Sequence, residues 1–350
     1  MPVTSLRVWV LSDNQPGHYN VSRGIVAALK RTRSVEEYWL PMQLRFGAAR
    51  NLLRFGLNHM SSVPNPKHLK LFYAMPTLPE QGCDLIVSTG GKTSFANAWL
   101  SKSLSVPNLF SGSLRRLSPE HFTVLLTLGT VAPTAAANLL LELPPSAIDR
   151  SVLDSQGNKL RQDMHLHDQR IYTLLIGGDG AGYQYADHDW QQLGELLNVL
   201  GERYQARWLL MGSRRSGVVA RRILEATVKP ALIANSVWYE KDKPVDIAAY
   251  LGAAEQIFVT EDSMTMLTEA IYSQRPVISL RPASVVPSQR YEAMVQRFSD
   301  LRWICRFELS TLLADPEQVA VQHCQPLRES PLDSLAIQLE SRLFHRNGYG

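Results

Sequence analysis

A short polar segment between two apolar runs carries the clearest chemical signal of the chain. The runs, residues 257–260 and 277–280, are typical of buried strands, and Asp262 or Ser263 is suited to begin a helix between them. Unpaired N–H groups and the helix dipole make such a helix start an anion site. Glu269, two turns along the helix, can accept hydrogen bonds from sugar hydroxyls. The segment therefore predicts a site for a nucleoside diphosphate sugar, with its ribose at Glu269.

The predicted helix has a polar side and an apolar side, and its polar side has a second, simpler interpretation. Asp262, Thr265 and Glu269 fall on a polar stripe, whereas Met264 and Leu267 fall on the stripe that should face a sheet. The alternative is an ordinary strand–helix–strand crossover in which Glu269 is merely solvated, because short motifs recur by chance.

Glycine-rich turns follow two other predicted strands of the second half. Glycine lets backbone N–H groups approach a phosphate closely. The turn after residues 171–176 is not a dinucleotide fingerprint, because Tyr183 stands where that pattern needs glycine. A tight strand–helix turn is the alternative. The candidate phosphate-binding residues are Gly177, Gly178, Asp179, Gly180, Gly212 and Arg214, with Arg215 beside them.

Polar loops also follow two predicted strands of the first half. Asp13 and His18, after residues 6–11, are the candidates for a general base, although each is equally suited to cap a helix or hold a structural hydrogen bond. The loop after residues 84–88 resembles a P-loop but has Ile86 where that motif needs glycine. Its candidates for an acceptor or a phosphate are Gly90, Gly91, Lys92 and Thr93.

A basic segment with aliphatic neighbours is predicted as an amphipathic helix over residues 44–60. Arg45, Arg50 and Arg54 lie four or five residues apart, which places them near one helical face. Such a composition suits contact with an anionic membrane surface, and the alternative is a solvated face of an ordinary packed helix.

Composition excludes several classes of protein. The chain has 350 residues and a net charge of +4, which is too weakly basic for a dedicated nucleic-acid binder. No apolar run approaches the ~20 residues of a membrane span, and no targeting segment precedes the first strand. We expect a cytoplasmic protein, and peripheral attachment to the inner membrane is compatible with this expectation.

The sequence offers few residues that could bind a metal ion or form a disulfide framework. Three cysteines, Cys83, Cys305 and Cys324, lack CxxC spacing, so we expect no disulfide framework and no zinc site. The cluster His165, Leu166, His167 and Asp168 lacks further ligands at suitable spacing, so an exposed connection is favoured over a metal site.

The order of the predicted elements indicates an α/β fold. Each half alternates strands and helices, which predicts two Rossmann-like domains with parallel sheets, whose ligands bind at the carboxyl ends of the strands. The predicted domains are 1–160 and 165–330, followed by an amphipathic helix and tail over 331–350. Residues 144–169, which include the turn predicted at 156–159, are expected to be a linker.

Six polar segments, taken in chain order, resemble those of the mitochondrial-fission "elongated mitochondria" family of plants and its bacterial relatives. They are SDNQPGH, STGGKTS, GGDGAG, MGSRRS, VTEDSMTMLTEA and SQRPVISLRP. The resemblance covers most of the chain. Because the plant members are reported to recruit a fission protein, it implies a non-catalytic adaptor as one alternative.

The second half is more distantly similar to GT-B glycosyltransferases of the MurG type, the peptidoglycan lipid-intermediate N-acetylglucosaminyltransferases. Glu269 matches their ribose-binding Glu, whereas Asp262 and Ser263 replace a Ser-Gly pair. Gln289 and Tyr291 match a Gln-Gln-Tyr stretch whose glutamines read the donor sugar. Arg290 replaces the second glutamine, which implies a different sugar, for example an acidic one. The resemblance implies a GT-B fold, two domains facing across a cleft, with no metal and no other cofactor.

These observations together favour a glycosyltransferase. We expect transfer from a nucleotide sugar, with a UDP-linked sugar as the first candidate, to a cell-envelope or lipid-linked acceptor. An adaptor is the main alternative. A nucleoside-diphosphate-sugar epimerase is disfavoured because the dinucleotide fingerprint and a Tyr-x-x-x-Lys pair are not convincing here.

Overall fold

The computed structural model shows an α/β chain that divides into two compact units. Unit 1 comprises residues 1–147 and 331–350, and unit 2 comprises residues 148–330. The structure describes residues 5–59, 62–128, 135–239, 242, 246–321 and 324–344.

Unit 1 is built on a sheet of six parallel strands in the order β2-β1-β5-β6-β7-β8. Its central strands are buried on both faces, which explains their continuous apolar runs. A two-stranded antiparallel ladder, β3 with β4, lies outside this sheet. The elements are β1 (Leu6–Ser12), α1 (Pro16–Thr32), β2 (Val35–Pro41), β3 (Gln43–Leu44), α2 (Ala49–His59), β4 (Tyr73–Ala74), β5 (Leu85–Thr89), α3 (Ser94–Leu104), β6 (Asn108–Ser111), β7 (Val124–Leu128) and β8 (Asn138–Leu141).

Unit 2 repeats the plan with six parallel strands in the order β12-β11-β9-β13-β14-β16. The small antiparallel pair β10 and β15 lies outside this sheet. The elements are α4 (Arg150–Asp163), β9 (Arg170–Ile176), β10 (Tyr183–Gln184), α5 (Asp187–Tyr204), β11 (Ala206–Gly212), α6 (Gly217–Thr227), β12 (Ile233–Trp238), α7 (Ile247–Ala253), β13 (Gln256–Thr260), α8 (Met264–Tyr272), β14 (Val277–Arg281), β15 (Ser284–Val285), α9 (Gln289–Asp300), β16 (Cys305–Glu308), α10 (Leu309–Ala314) and α11 (Gln318–Val321).

Each sheet reverses its strand order once. In unit 1 the reversal lies between β1 and β5, and in unit 2 it lies between β9 and β13. Loops leaving neighbouring strands diverge at such a point, which opens a crevice at the carboxyl ends where ligands of open α/β sheets bind. Four of the polar loops singled out from the sequence follow these strands, and the loop with Arg214 and Arg215 follows the neighbouring strand β11.

The last helix, α12 (Pro331–Phe344), packs on unit 1 beside α1. The Arg33 guanidinium donates to the Glu340 carboxylate and lies 3.9 Å from the centre of the Phe344 ring. The predicted amphipathic helix is therefore present, with Leu332, Leu335 and Leu339 among its buried residues.

The linker expected over 144–169 contains a helix instead. Residues 156–159, predicted as a turn, lie within α4, and Gly157 touches the backbone of Gly252 and Ala253. Two facing glycines let α4 and α7 approach closely, so tertiary packing overrides the low helix propensity of this segment.

Cys305 and Cys324 form a disulfide, contrary to the expectation from their spacing. The chain after α11 returns to the sheet edge, where the Gln325 N–H donates to the Arg302 carbonyl at 2.7 Å. This return brings together two cysteines 19 residues apart, and no local pattern encodes it.

Candidate functional site

In unit 1 the two candidate bases form a pair at the end of β1. Both carboxylate oxygens of Asp13 lie 3.0 Å from Nδ1 of His18. The Asp13 side chain is 3% exposed and that of His18 is 42% exposed. A buried carboxylate at Nδ1 favours the tautomer that keeps the proton there, so Nε2 of His18 is left to accept a proton from a ligand.

The second polar loop of unit 1 meets this pair. A Cβ added at Gly90, whose φ is +90°, would collide with the His18 ring, so glycine is required for the approach. A Cβ at Gly91 would collide with the Arg115 side chain. Lys92 is exposed, whereas Thr93 is buried and its hydroxyl donates to the carbonyls of Thr89 and Gly90.

Arg115 was missed by the sequence analysis. Its side chain lies over Gly91, 24 positions earlier in the chain, and only the adjacency of β5 and β6 brings the two loops together. Arg115 and Arg116 both have positive φ, at 54° and 65°, which is an unusual conformation for two successive non-glycine residues. With Lys92, they place basic side chains at this strand end.

In unit 2 the corresponding strand end holds a buried carboxylate. Asp262 follows β13, its side chain is fully buried, and it is paired with Arg215 from the loop between β11 and α6. A Cβ at Gly177 would collide with the Asp262 carboxylate, and a Cβ at Gly180 would collide with the Arg215 guanidinium. The Asp262–Arg215 pair therefore lies directly over the glycine-rich loop.

The electrostatics of Asp262 are unusual. Burial raises the pKa of its carboxyl to about 6 from an ordinary value of 3.8, although the nearby Arg215 charge acts in the opposite direction. Its Oδ1 atom is buried and has no hydrogen-bond partner among the described residues. A buried acceptor without a partner is costly, which marks this atom as a functional candidate.

A second buried carboxylate, Glu261, precedes Asp262 and is held by hydrogen bonds from several side chains. Arg306 donates to both of its oxygens at 2.6–2.9 Å, and the Tyr183 and Ser279 hydroxyls donate to it at 2.8 and 2.7 Å. The Tyr291 hydroxyl donates to its backbone carbonyl at 2.8 Å. Burial, followed by the Glu261 charge, raises the pKa of Tyr183 well above its usual range.

This network was also missed by the sequence analysis. Tyr291 lies in the first turn of α9, so its hydrogen bond ties the start of that helix to the loop containing Asp262. Glu261 gave no signal of its own, because a charged residue before a helix is ordinarily solvated.

The other predicted donor-site residues lie around the same strand ends. Ser263 caps α8, with its hydroxyl accepting from the Met266 N–H at 3.4 Å, which settles the choice of cap. Thr265 and Glu269 are half-buried on α8. Their role in binding stays a prediction.

Of four further predicted residues, three hold the conformation of the loops around the Asp262–Arg215 pair, and the fourth is exposed. The Asp179 carboxylate accepts from the Tyr185 N–H at 2.9 Å, and a Cβ at Gly212 would collide with the Trp238 ring. Gly178 has φ +145°, and a Cβ there would collide with the backbone of Arg215. Arg214 is exposed.

The residues predicted to read the donor sugar begin α9. Arg290 is exposed, and Gln289 lines a cavity of about 820 Å³ with Arg281, Glu292 and Glu308. This cavity opens at the ends of β14 and β16, two strands along from the glycine-rich loop.

The predicted basic helix begins later than expected. Residues 43–44 pair with 73–74, so α2 starts at Ala49 and Arg45 lies before it. The Arg45 guanidinium donates to the carbonyls of Lys70 and Tyr73 at 2.9 and 3.2 Å. Arg45 is therefore not on the helix face with Arg50 and Arg54, as the sequence had predicted.

An exposed apolar surface surrounds the two remaining arginines. Phe55 is 69% exposed, Leu52 is 58% exposed and Phe46 is 45% exposed. Exposed large apolar side chains that lie near one another are candidates for an interaction surface. We call Phe46, Leu52 and Phe55 with Arg50 and Arg54 the α2 surface.

Metal-ligand clusters and membrane-spanning helices are absent from the residues that the structure describes. Within these ranges no group of three or more His, Cys, Asp or Glu side chains could hold a metal ion. None of the helices described is long and apolar enough to cross a bilayer.

Two parallel six-stranded sheets, each with polar loops at the reversal of its strand order, define a GT-B-like α/β protein. Sequence comparison gives the particular family. The chain belongs to the mitochondrial fission ELM1 family, whose pattern matches residues 16–338. This confirms the resemblance drawn from the polar segments. A comparison with curated protein sequences found no match.

Solved structures show the same fold at low sequence identity. A putative UDP-N-acetylglucosamine 2-epimerase from Listeria monocytogenes has a TM-score of 0.60 and 11% identity, covering 99% of this chain and 98% of its own. UDP-GlcNAc 2-epimerase from Neisseria meningitidis, bound to UDP-GlcNAc, has a TM-score of 0.55 and 9% identity, covering 97% and 100%. MurG from Acinetobacter baumannii has a TM-score of 0.48 and 13% identity, covering 95% of each chain.

These likenesses change one argument made from the sequence. The missing dinucleotide fingerprint was taken to disfavour an epimerase, yet two epimerases share the fold of this chain. The fold of this chain therefore does not distinguish an epimerase from a glycosyltransferase, whether or not the fingerprint is present.

Proposed function

We propose that the protein transfers a sugar from a nucleotide sugar to a hydroxyl of an acceptor. The observation that carries the proposal is the Asp13–His18 pair, in which a buried carboxylate orients an exposed imidazole at the strand-order reversal of unit 1. Unit 2 supplies the donor site at its own reversal, and the Neisseria meningitidis neighbour bound to UDP-GlcNAc supports a nucleotide sugar as the ligand.

The donor site is assembled from three features of unit 2. The glycine-rich loop offers backbone N–H groups, the start of α8 contributes the positive end of its dipole, and Arg215 contributes a full positive charge. Together they suit a diphosphate. Glu269 lies further along α8, where its carboxylate would accept hydrogen bonds from the ribose.

The base acts on the acceptor. Because Nδ1 of His18 is occupied by Asp13, Nε2 would take the proton of the attacking hydroxyl, and the Asp13 charge would stabilise the imidazolium that forms. Gly90 and Gly91 allow close approach, while Lys92 and Arg115 would attract an acceptor that carries a phosphate.

The leaving nucleoside diphosphate would be stabilised without a metal ion. The start of α8 and the Arg215 guanidinium provide positive potential where negative charge develops, and exposed Arg214 lies next to Arg215. No other cofactor enters the proposed reaction.

The acceptor is proposed to be lipid-linked, with the α2 surface resting on an anionic leaflet. Phe55 and Leu52 would enter the interface, and Arg50 and Arg54 would meet lipid phosphates. Arg45 is removed from this role because its guanidinium is held by two backbone carbonyls. Attachment would be peripheral.

One experiment separates this proposal from its alternatives. The purified chain is screened by calorimetry against UDP- and ADP-linked sugars, and bound donors are then incubated with and without a bacterial lipid extract. Release of nucleoside diphosphate that depends on the extract supports a glycosyltransferase. Interconversion of the sugar without acceptor identifies an epimerase. Absence of binding across the panel would favour a non-catalytic adaptor and overturn the proposal.

A further inference from the structure

The Asp262–Arg215 pair occupies the place where a diphosphate would lie. Both side chains press on the glycine-rich loop, Asp262 at Gly177 and Arg215 at Gly180. A carboxylate at this helix start opposes the binding of an anion, because it places negative charge next to the phosphates. A diphosphate must therefore either share Arg215 with Asp262 or take Arg215 from it.

We propose that diphosphate binding draws Arg215 away from Asp262 and that the Asp262 carboxylate takes up one proton from solvent in the same step. This inference rests on the proposed nucleotide-sugar site. The unpartnered Oδ1 atom of Asp262 is the point of protonation that the geometry favours, because Oδ2 is the atom that accepts from Arg215. No covalent bond changes, and the proton comes from water or buffer.

The physical reason is that Asp262 loses the positively charged partner that stabilises its ionised form. A fully buried carboxylate is tolerated here because Arg215 lies against it. Once the guanidinium turns to the phosphates, burial and the added phosphate charge both favour the neutral acid. The carboxyl pKa, already raised to about 6 by burial, would rise further in the complex.

Among the charged and titratable groups around the pair, Asp262 is the one that we expect to change its protonation state near pH 7. The facing charged and titratable groups are Arg215, the Tyr185 and Tyr291 hydroxyls and the adjacent Glu261. Burial raises the pKa of both tyrosines well above their ordinary value, so both stay neutral near pH 7.

Behind Asp262 lies a second set of charges. Glu261 accepts hydrogen bonds from Arg306, and Arg306 also donates to the Glu292 carboxylate. The hydrogen bond from Arg306, together with the weaker attraction of the Arg306 and Arg281 charges, lowers the pKa of Glu292, so Glu292 stays ionised near pH 7.

The test is calorimetric titration with UDP-N-acetylglucosamine and ADP-glucose in two buffers of different ionisation enthalpy. The diphosphate diester of these probes does not titrate near neutral pH, so any proton taken up belongs to the protein. We expect uptake approaching one proton per ligand at about pH 7. Affinity should fall by about tenfold for each pH unit above about pH 6.5, because the free site must first be protonated.

Two variants test whether the proton taken up on binding belongs to Asp262. Asp262→Asn should abolish both the proton uptake and the pH dependence while still binding the probe, because the amide is neutral at every pH. Asp187→Asn, which neutralises an exposed carboxylate at the start of α5, should retain both. Circular dichroism and thermal melting establish that each variant is folded.

The outcomes separate this inference from the proposed function. Binding of a probe without proton uptake, or uptake that persists in Asp262→Asn, overturns the inference and leaves the donor site standing. No binding of either probe at any pH between about 5.5 and 8 overturns both the proton linkage and the donor site.

Discussion

In unit 1 the first turn of α1 places a histidine against a glycine of the loop after β5, whereas in unit 2 the loop after β13 places a carboxylate against a glycine of the loop after β9. These are equivalent positions, the reversal of strand order in each sheet. His18 is half-exposed and its partner Asp13 is buried, while Asp262 is buried and its partner Arg215 is half-exposed.

The difference teaches how one architecture produces two kinds of site. In unit 1 the carboxyl group is buried and the imidazole ring reaches solvent, which is the arrangement of an oriented base. In unit 2 the acid is buried beneath a cation, which is an arrangement that an incoming anion can disrupt. Each of the following experiments tests one side of this contrast.

The largest effect is expected from the exposed histidine of unit 1. His18→Ala should reduce turnover by about 10²–10⁴-fold with nucleotide affinity unchanged, because the proton acceptor is lost but the donor site lies in unit 2. His59→Ala, an exposed histidine on α2, is the control and should behave like wild type. Wild-type turnover in folded His18→Ala would place the base elsewhere.

The buried ion pair of unit 2 predicts a large loss of stability. Arg306→Ala should lower the free energy of unfolding by about 3–5 kcal/mol, because Glu261 would be left buried without its charged partner. Arg281→Ala removes an exposed arginine 3.9 Å from Glu308 and should change it by less than about 1 kcal/mol. Urea denaturation measures both. Equal losses of unfolding free energy in the two variants would contradict the conclusion that the Arg306–Glu261 pair is buried.

Asp262 should make the stability of unit 2 depend on pH. Its raised pKa means that the folded state binds the proton more tightly than the unfolded state does. Its contribution is therefore full below about pH 4 and lost as the pH rises through about 6. Wild type should lose about 2–3 kcal/mol relative to Asp262→Asn over this range. Parallel pH profiles for the two proteins would rule out the raised pKa.

Glu269 tests the donor side of the contrast. Glu269→Ala should weaken nucleotide-sugar binding by about 1.5–3 kcal/mol if the carboxylate accepts from the ribose. Glu195→Ala, an exposed carboxylate of α5, is the matched control and should leave affinity unchanged. Calorimetry gives both values, and unaltered affinity in folded Glu269→Ala would refute the assignment.

The smallest effect per residue is expected at the α2 surface. Replacing Arg50 and Arg54 by Glu should release the protein from anionic liposomes, because each arginine contributes about 1 kcal/mol at such a surface. Arg222→Glu with Arg328→Glu makes the same charge change on exposed residues of unit 2 and should retain binding. Wild-type protein that ignores anionic vesicles at low salt would make a soluble acceptor the better proposal.

Local pattern predicted much of this molecule. The apolar runs at 6–11, 171–176 and 257–260 are strands, because residues buried on both faces of a parallel sheet must be apolar without interruption. A residue suited to cap a helix was recognised at 262–263 for a similar reason, since capping involves only neighbours in sequence. The pairing of Asp13 with His18, five residues apart, also depends on local geometry.

The sequence by itself determined most of the segments that form strands and helices, and it determined which loops are polar. Only the tertiary structure decided what those loops touch: Arg215 and Asp262 are 47 positions apart, and Arg306 and Glu261 are 45 apart. It likewise decided that α4 replaces a linker, that Arg45 lies outside α2 and that Cys305 meets Cys324. Each outcome depends on strand order and close packing, which bring distant residues together, whereas periodicity and propensity describe only the interactions of neighbours along the chain.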